Sequence, residues 1–418
     1  MTQAQTSVQK ILAYASGLQS TQVGEIVYPT PQWVILHDGY VEIAHKELSE
    51  MGYARVAHPE RVMFVTDHEV AYSTQRALLR GQTIRKVAKD WQVGEFFDAG
   101  RAGHGHLHPM EMGLIKPGMF VFAYDMHATN FGAVGALAIP VSSEITSVLA
   151  TGSVWVKVPS TIRVNLSGQW REGSHPRDLG FLLAQGLSKS TWGVAGDYRL
   201  IEFVGDALSS MPLSSKVALC NSITEIGVAS VLFPQHLDAS YDCLSDEGAE
   251  FEALLDFDLS LIEPQLALPG GPDLACPVSQ ALGTPVQHAF IGACGSGMYE
   301  DFVDAAALLK GHHVSADVRM FVVPGTVQTQ KRLANDGILQ QFMDAGAMVL
   351  PPGCGPCAGG MMAPLGSGET SISTAATNHT GRFGPKDSLA YLGSPLTVVA
   401  SAIRGEITDP RSLEVVHA

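Results

Sequence analysis

The sequence predicts an α/β protein in which mostly parallel sheets are flanked by helices. The chain is 46% hydrophobic and 16% charged and has 43 glycines, a composition typical of large domains with buried sheets. Strand-like and helix-like stretches alternate, and three apolar runs (RVMFV, MFVFAY and AFIGA) lead directly into polar or thiol groups. These groups are Asp67-His68, Asp125 with His127, and Cys294. Because parallel sheets present functional groups at the carboxyl ends of their strands, these three strand ends are suited to chemistry.

The chain is long enough for more than one domain. Its 418 residues correspond to roughly two to four domains of about 100–200 residues each. A stretch rich in proline and glycine predicts a linker near residues 263–286, and a softer boundary lies near residue 160. We therefore predict three α/β domains, at residues 1–160, 161–285 and 286–418. The acidic stretch SDEGAEFEALLDFD, which precedes the linker, is interpreted as the solvated face of a helix.

Charge and hydropathy argue against several classes of partner. The net charge of −15 disfavours nucleic acid and anionic membrane surfaces, which attract basic proteins. No segment contains the ~18 consecutive apolar residues of a membrane helix. The N-terminal sequence MTQAQTSVQKILAYASGLQS has no hydrophobic signal core. We therefore predict a cytoplasmic protein, in which the six cysteines do not form a disulfide framework.

Two of the cysteines lie in PPGCGPCAGG, a loop so rich in glycine and proline that it suits neither a helix nor a central strand. Cys354 and Cys357 form a C-x-x-C pair, a spacing used for zinc, for thiol–disulfide chemistry and for iron–sulfur clusters. Cys294 lies among glycines, where a bulky inorganic group can approach the backbone. Three thiolates suit a cubane cluster with one iron open to substrate, but a zinc or structural role for the C-x-x-C pair stays open at this point. The remaining cysteines are interpreted as ordinary buried residues: Cys220, Cys243 and Cys276.

Several separated motifs resemble the aconitase superfamily. They are IGACGSGMYEDFVDAAALLKG, PPGCGPCAGG, LCNSITEIG and NHTGR, and the length and the stretch MEMGLIKPGM most resemble the large subunits of isopropylmalate dehydratases. The similarity runs from KILAYASG to GSPLTVVASAIRGEITDP. It implies three aconitase-like α/β domains around a central cleft and a [4Fe–4S] cluster bound by Cys294, Cys354 and Cys357. It also implies a hydro-lyase that removes water from a small hydroxy acid and that either stops there or adds the water back at the neighbouring carbon.

The resemblance further implies which side chains act on the substrate. Hydroxide is a poor leaving group, so the iron polarises it and an imidazolium–carboxylate pair protonates it. The implied acid–base residues are Asp67, His68, His106, Asp125, His127 and Glu225. The implied substrate contacts are His37, Asn221 and Arg382. Two further histidines have no role in the family and are interpreted as surface residues or as supports of neighbouring side chains: His104 and His108.

The sequence departs from the family pattern at three places. Met126 replaces the serine of an Asp-Ser-His motif, and Gly295-Ser296 replaces Thr-Asn after the first cluster cysteine. Thr377 replaces the first arginine of the motif Asn-Arg-Asn-Phe-x-Gly-Arg, of which Arg382 remains. Arginine binds a carboxylate in a bidentate fork. We therefore infer a substrate different from isopropylmalate or citrate, with fewer or differently placed carboxylates and an apolar group near Met126.

The resemblance also implies a partner. The family's catalytic base is a serine in a Ser-Arg motif on a swivelling fourth domain, and we find no such domain after NHTGR. In isopropylmalate dehydratases that domain is a separate small polypeptide, so we expect a small subunit. Two alternatives stay open. One is a non-catalytic or regulatory relative that uses the cluster as an iron or oxygen sensor, and the other is a thiol or zinc protein that uses only Cys354 and Cys357.

Overall fold

The computed structural model describes residues 4–236 and 242–413. Within these residues lie eleven α-helices, eighteen strands and eight 3₁₀ helices. The α-helices are α1 (Ser7–Ala15), α2 (Asp38–Glu50), α3 (Gln75–Trp91), α4 (His108–Glu111), α5 (Ile145–Thr151), α6 (Pro176–Ser188), α7 (Leu213–Ser222), α8 (Tyr299–Leu309), α9 (Val327–Asn335), α10 (Ile338–Asp344) and α11 (Pro395–Arg404). The strands are β1 (Ile26–Val27), β2 (Trp33–His37), β3 (Val62–Val65), β4 (Glu95–Phe97), β5 (Phe120–Ala123), β6 (Leu137–Pro140), β7 (Val156–Lys157), β8 (Thr161–Ser167), β9 (Leu200–Val204), β10 (Ser230–Leu232), β11 (Ala253–Asp258), β12 (Gln265–Ala267), β13 (Ala275–Pro277), β14 (His288–Gly292), β15 (Arg319–Val323), β16 (Met348–Val349), β17 (Thr370–Ser373) and β18 (Leu389–Leu392). The 3₁₀ helices span Pro59–Arg61, Met126–Val134, Asp206–Ser210, Thr224–Ile226, Leu259–Leu261, Val278–Gln280, Gly355–Cys357 and Pro410–Ser412.

Several helices begin and end at residues whose chemistry favours a helix terminus. The hydroxyls of Thr74, Thr326 and Ser394 each accept a hydrogen bond from a backbone N–H in the first turn of α3, α9 and α11, which satisfies a donor that the helix itself cannot pair. Pro395 occupies the first turn of α11, where its missing N–H costs nothing. Gly405 ends that helix in the left-handed conformation. The sequence therefore determines these boundaries locally.

The first large sheet contains, among the described residues, five parallel strands in the order β4-β3-β2-β5-β6. Successive residues of a strand point to opposite faces, and both faces are apolar here. Val34 and Phe64 pack with residues of helices α1, α2, α3 and α5, whereas Ile35 and Met63 pack in a cluster shared with the second sheet. From β2 the chain continues to β3 and then to β4 at one edge of the sheet, and it then returns to form β5 on the other side of β2. Such a switch of direction opens a crevice at the carboxyl ends of β2 and β5.

The other two large sheets repeat this arrangement in the described part of the chain. The second consists of four parallel strands in the order β10-β9-β8-β11. The third has the order β13-β12-β18-β17-β14-β15-β16. The strands β18, β17, β14, β15 and β16 run parallel to one another, whereas β12 pairs antiparallel with both of its neighbours, β18 and β13. The chain changes direction between β14 and β17, so a second crevice opens at their carboxyl ends. The predicted α/β class with mostly parallel sheets is confirmed.

Two local predictions from the sequence are wrong. The proline- and glycine-rich segment near residues 263–286 is not a simple linker, because it contains β12 and β13, which form a hairpin in the third sheet. Leu266 and Cys276 of this hairpin are buried in the apolar core of that sheet. The acidic stretch SDEGAEFEALLDFD does not form a helix but ends in strand β11, which pairs with β8.

The domain boundaries at residues 160 and 285 stay predictions. In the residues that the structure describes, no helix is both long enough and apolar enough to cross a membrane.

Candidate active site

A cavity of about 740 Å³ is lined by loops that follow strands of the first and third sheets, together with one residue of a loop in the second. Five of the residues predicted from the sequence line it: His68, Asp125, His127, Glu225 and Arg382. The remaining predicted residues are buried: His37, Asp67, His106, Asn221, Cys294, Cys354 and Cys357. Residues of all three predicted domains therefore contribute to one cavity.

Asp67 is the centre of a buried hydrogen-bond network behind this cavity. Parallel pairing of β2 with β3 places His37 opposite Val65, so the residues that follow β3 lie beside the end of β2. The carboxylate of Asp67 is fully buried and accepts from His37 Nδ1 at 2.9 Å, His68 Nδ1 at 2.7 Å and the Gly105 N–H at 2.7 Å. Burial alone would raise the pKa of Asp67, but the charges and hydrogen bonds of His37 and His68 hold this pKa well below its usual value. Asp67 is therefore a buried, ionised acceptor.

His68 is held between two carboxylates. Its Nδ1 lies 2.7 Å from Asp67 Oδ1 and 3.0 Å from Asp38 Oδ1. Asp38 also accepts the backbone N–H groups of His68 and Glu69, at 3.1 and 2.9 Å. Burial would lower the pKa of His68, but Cys354 and the two carboxylates raise it well above its usual value. His68 is thus an imidazolium on the cavity wall, an arrangement suited to a proton donor.

His106 has the opposite character. The Gly103–Gly105 turn brings His106 beside the side chain of His37, the last residue of β2. A Cβ at Gly105 would lie only 2.6 Å from the His37 ring, so position 105 requires glycine. The Nε2 atoms of His37 and His106 are 2.9 Å apart. Burial and the neighbouring His37 lower the pKa of His106 well below its usual value, whereas the pKa of His37 is raised despite burial because Asp67 is its partner. The proton shared by this pair therefore stays on His37, and His106 is neutral.

A second carboxylate–imidazole chain forms from two different sheets. Asp125 follows β5, and its Oδ1 accepts the backbone N–H of His127 at 2.8 Å and lies 3.0 Å from His127 Nδ1. His127 Nε2 lies 2.9 Å from Oε1 of Glu225, which belongs to the 3₁₀ helix between β9 and β10. Burial would lower the pKa of His127, but Asp125 and Glu225 raise it well above its usual value. His127 therefore donates at both ring nitrogens and holds a second proton at the cavity wall.

The three predicted ligand cysteines come from two loops of the third sheet. Cys294 follows β14, beside the crevice between β14 and β17, whereas Cys354 and Cys357 follow β16. All three are free thiols and are buried. Burial raises the pKa of Cys294, and the nearby thiol of Cys357 raises it further. Loss of the Cys294 proton therefore needs a compensating positive charge, such as that of bound iron.

The surroundings of these thiols fit a cluster of iron and sulfur. The Asn221 Nδ2 donates to Cys294 Sγ at 3.2 Å, and Asn221 Oδ1 and Arg177 Nη1 are buried without a hydrogen-bond partner in the described residues. A Cβ at Gly295 would overlap both Asn221 and Arg177, which explains why this loop has glycine where the family has threonine. The unpaired Nη1 of Arg177 beside this glycine is a donor, which suits a bound group with several sulfur acceptors.

Arg382 and the two departures from the family pattern lie around the same cavity. Burial would lower the pKa of Arg382, but Cys357, Cys354 and Glu225 raise this pKa above its usual value. Met126 is 41% exposed and lines the cavity, as does Thr377. Thr377 is buried, and its hydroxyl has no partner among the described residues. The substitutions that remove a serine and an arginine therefore change the cavity wall itself.

The structure also brings in residues for which the sequence analysis predicted no function in the site. Asp38 follows His37 directly, so the stretch VILHD contained a usable signal. His104 and His108 are not surface residues, because both are buried, which leaves the other interpretation from the sequence, that they support neighbouring side chains. His104 contacts Cys354, and His108 packs edge-on against Phe97. Arg177 is completely buried beside the Cys294 loop, and no local motif marked it.

Comparison with known proteins agrees with this geometry. The profile of the Aconitase family (aconitate hydratase) matches residues 9–239 and 235–405. The 3-isopropylmalate dehydratase large subunit 1 of Methanopyrus kandleri is 35% identical over 421 residues, which cover 97% of this chain and 99% of that protein. A probable methanogen homoaconitase large subunit of Methanothermobacter thermautotrophicus is 34% identical over 420 residues, which cover 96% and 97% of the two chains.

Among solved structures, the holo-form of aconitase X from Thermococcus kodakaraensis superposes with a TM-score of 0.51 at 10% identity. The match covers 88% of this chain and 89% of that one. At this identity the likeness shows the fold alone.

Proposed function

Because the chain belongs to the aconitase family of hydro-lyases, we propose that it is the cluster-bearing large subunit of a two-subunit enzyme that dehydrates a small hydroxy acid. One observation carries the proposal. Three buried thiols, two imidazolium–carboxylate chains and an arginine converge around a single cavity. Relatives that match over nearly their whole length are named large subunits, which supports a small-subunit partner. A cytoplasmic location stays a prediction.

In this proposal Cys294, Cys354 and Cys357 hold a [4Fe–4S] cluster. When bound, the cluster supplies a Lewis acid for a substrate oxygen. A single zinc ion needs thiolate sulfurs about 3.8 Å apart at a Zn–S length of about 2.3 Å. Among the described residues, Cys294, Cys354 and Cys357 do not form a group whose ligand atoms all lie within 4.8 Å of one another. Cys354 forms such a group with Asp67 and His104 instead. This spacing supports a larger inorganic group over one zinc ion.

The chain's own residues bind the substrate and move its protons. Arg382 pairs with a substrate carboxylate, because its fixed fork of donors matches two oxygens. His68, whose Nδ1 is held by Asp67 and Asp38, gives its proton from Nε2 to the leaving hydroxyl. His127, held between Asp125 and Glu225, places a fixed positive charge at the cavity wall that attracts the substrate's oxygen atoms. His37 and Asn221 act from behind the cavity: His37 supports Asp67 and His106, and Asn221 donates to Cys294.

The proposal is tested by combining the anaerobically reconstituted chain with a candidate small subunit that carries a Ser-Arg motif. Alone, the chain should bind iron and sulfide yet dehydrate nothing, because the catalytic base lies on the partner. The pair should convert a hydroxy acid to its alkene, measured by ultraviolet absorbance. Full turnover by the isolated chain would contradict the two-subunit proposal. A loaded pair that turns over no member of a broad hydroxy-acid panel would favour the regulatory alternative.

We expect the part of the substrate that lies near Met126 and Thr377 to be apolar or to lack a carboxylate. Restoring the lost groups in the double variant Met126→Ser, Thr377→Arg should shift preference toward dicarboxylates and tricarboxylates. A charge-assisted pair contributes roughly 1.5–3 kcal/mol, or ~10–150-fold in affinity. The ratio of kcat/KM values for matched substrates with and without the extra carboxylate measures the shift. Thr377→Met is the control, because methionine adds similar bulk without charge. A ratio that stays the same in the arginine variant, or changes equally in the methionine variant, would contradict this account of specificity.

A further inference from the structure

His104 lies against one of the proposed cluster ligands. Its Nε2 is 3.0 Å from the Sγ of Cys354, and the side chain is 1% exposed. The backbone there is anchored to the third sheet's loops, since the His104 N–H donates to the Gly325 carbonyl at 2.7 Å. A Cβ at Gly103 would overlap Gly325 and Thr326, so a glycine is needed for this close approach. The position of the imidazole is therefore fixed from both sides.

The neighbouring backbone determines which ring nitrogen of His104 carries the proton. The N–H of His106 points at His104 Nδ1 at a distance of 3.2 Å, so Nδ1 must accept. A neutral imidazole has one donor and one acceptor nitrogen, and the proton is therefore on Nε2. The Nε2–H then faces Cys354 Sγ. The Oδ2 of Asp67 lies farther from Nδ1, at 3.5 Å, and that oxygen already accepts from Gly105 and His37.

We propose that His104 donates an N–H···S hydrogen bond to the Cys354 thiolate and thereby raises the reduction potential of the bound cluster. The inference rests on the proposed function, because it requires Cys354 to be a cluster ligand. A hydrogen bond to a ligating sulfur withdraws electron density and favours the reduced cluster, which is richer in electrons. His104 is thus a positioning residue that acts through Cys354 without touching the substrate.

Each of the three thiols has a polar neighbour from a different part of the chain. Asn221 donates to Cys294 at 3.2 Å, the charge of Arg382 interacts with Cys357, and His104 faces Cys354 at 3.0 Å. Among the described residues, the side-chain hydrogen bond of the Cys354 sulfur is the one with His104, and a substitution of His104 removes it. Loss of His104 should therefore shift the potential while the cluster remains bound.

The test compares two substitutions at His104 with a matched one at His108, all in the full chain reconstituted under anaerobic conditions. His104→Leu keeps bulk but removes the donor, whereas the amide of His104→Gln reaches the position of Nε2 and keeps an N–H. His108→Leu is the control, because His108 is also buried and lies in the same segment but packs on Phe97. Iron and sulfide content and an EPR-monitored redox titration are measured for each protein.

The His104→Leu variant should bind a full cluster whose equilibrium constant for one-electron reduction falls about two- to tenfold, the effect of one net hydrogen bond. A tenfold change corresponds to 59 mV. His104→Gln should recover most of the shift, and His108→Leu should leave the potential unchanged. An unchanged potential in a fully loaded His104→Leu protein overturns the inference and leaves the proposed function intact. Equal shifts in the leucine and glutamine variants would indicate packing and also overturn it. Wild-type protein that takes up no iron and sulfide overturns both.

A second measurement covers the case in which His104→Leu does not fold. Wild-type chain labelled with ¹⁵N-histidine should show, by pulsed EPR of the reduced cluster, a magnetic coupling to a histidine nitrogen. The coupling should disappear in His104→Gln and persist in His108→Gln. A coupling that is absent from the wild type, or that persists in His104→Gln, overturns the inference.

Discussion

Cys294→Ser should lose nearly all bound iron and sulfide, and with them all measurable turnover. The hydroxyl of serine is a hard ligand that keeps its proton at neutral pH, whereas clusters are held by soft thiolates. With one of three ligands gone, the buried site would also leave Asn221 without its sulfur partner. Iron, acid-labile sulfide and the thiolate-to-iron absorption band, each normalised to protein, are the measurements. Cys354→Ser and Cys357→Ser should behave alike.

Cys220→Ser is the matched control for this prediction. Cys220 is as buried as Cys294, but it lies in helix α7 within the apolar core shared by the first two sheets. Burial raises the pKa of Cys220, so its thiol is an inert part of the packing. The control should therefore lose stability without losing iron. Equal loss of iron and sulfide from Cys294→Ser and Cys220→Ser would contradict the ligand assignment.

Sequence reasoning located several residues in and behind the cavity because they follow apolar strands. In a parallel sheet the strand interior is continuously apolar, so the first polar residues after it mark the edge where side chains become available for chemistry. Asp67, Asp125 and Cys294 all follow this rule. The same reasoning could not predict that His127 meets Glu225 at 2.9 Å, since the two belong to different sheets and only tertiary packing brings them together.

The residues whose role the sequence did not specify are those that depend on a buried contact between distant loops. His104 and Cys354 are far apart in the chain, and their contact exists because the glycines of the Gly103–Gly105 turn let two backbones approach. Arg177 is marked only by its complete burial, which a local pattern does not reveal. The hairpin of β12 and β13 was misread for a related reason, because proline and glycine are as common in a tight connection as in a linker.

His68→Asn should lower turnover by roughly 10²–10⁴-fold, the usual range for a positioned acid or base, while the cluster stays bound. In energy this is about 3–5 kcal/mol of lost transition-state stabilisation. Asparagine is chosen because its amide N–H₂ can occupy the position of Nδ1 and still donate to Asp67 and Asp38, which accept at 2.7 and 3.0 Å in the native protein. The buried carboxylates therefore keep a partner, and the substitution removes only the proton that Nε2 gives to the leaving hydroxyl.

The exposed histidine His58 provides the control. It also pairs with a carboxylate, Glu60 at 3.4 Å, but on the surface and away from the cavity, so His58→Asn should turn over at the wild-type rate. Single-turnover rates with the partner subunit present, together with iron and sulfide content, separate a chemical defect from loss of the cluster. If His68→Asn kept a full cluster and near-normal turnover, proton donation would have to come from His127 or from the partner. The raised pKa of His68 would then reflect only the structural pairing of one imidazolium with two buried carboxylates.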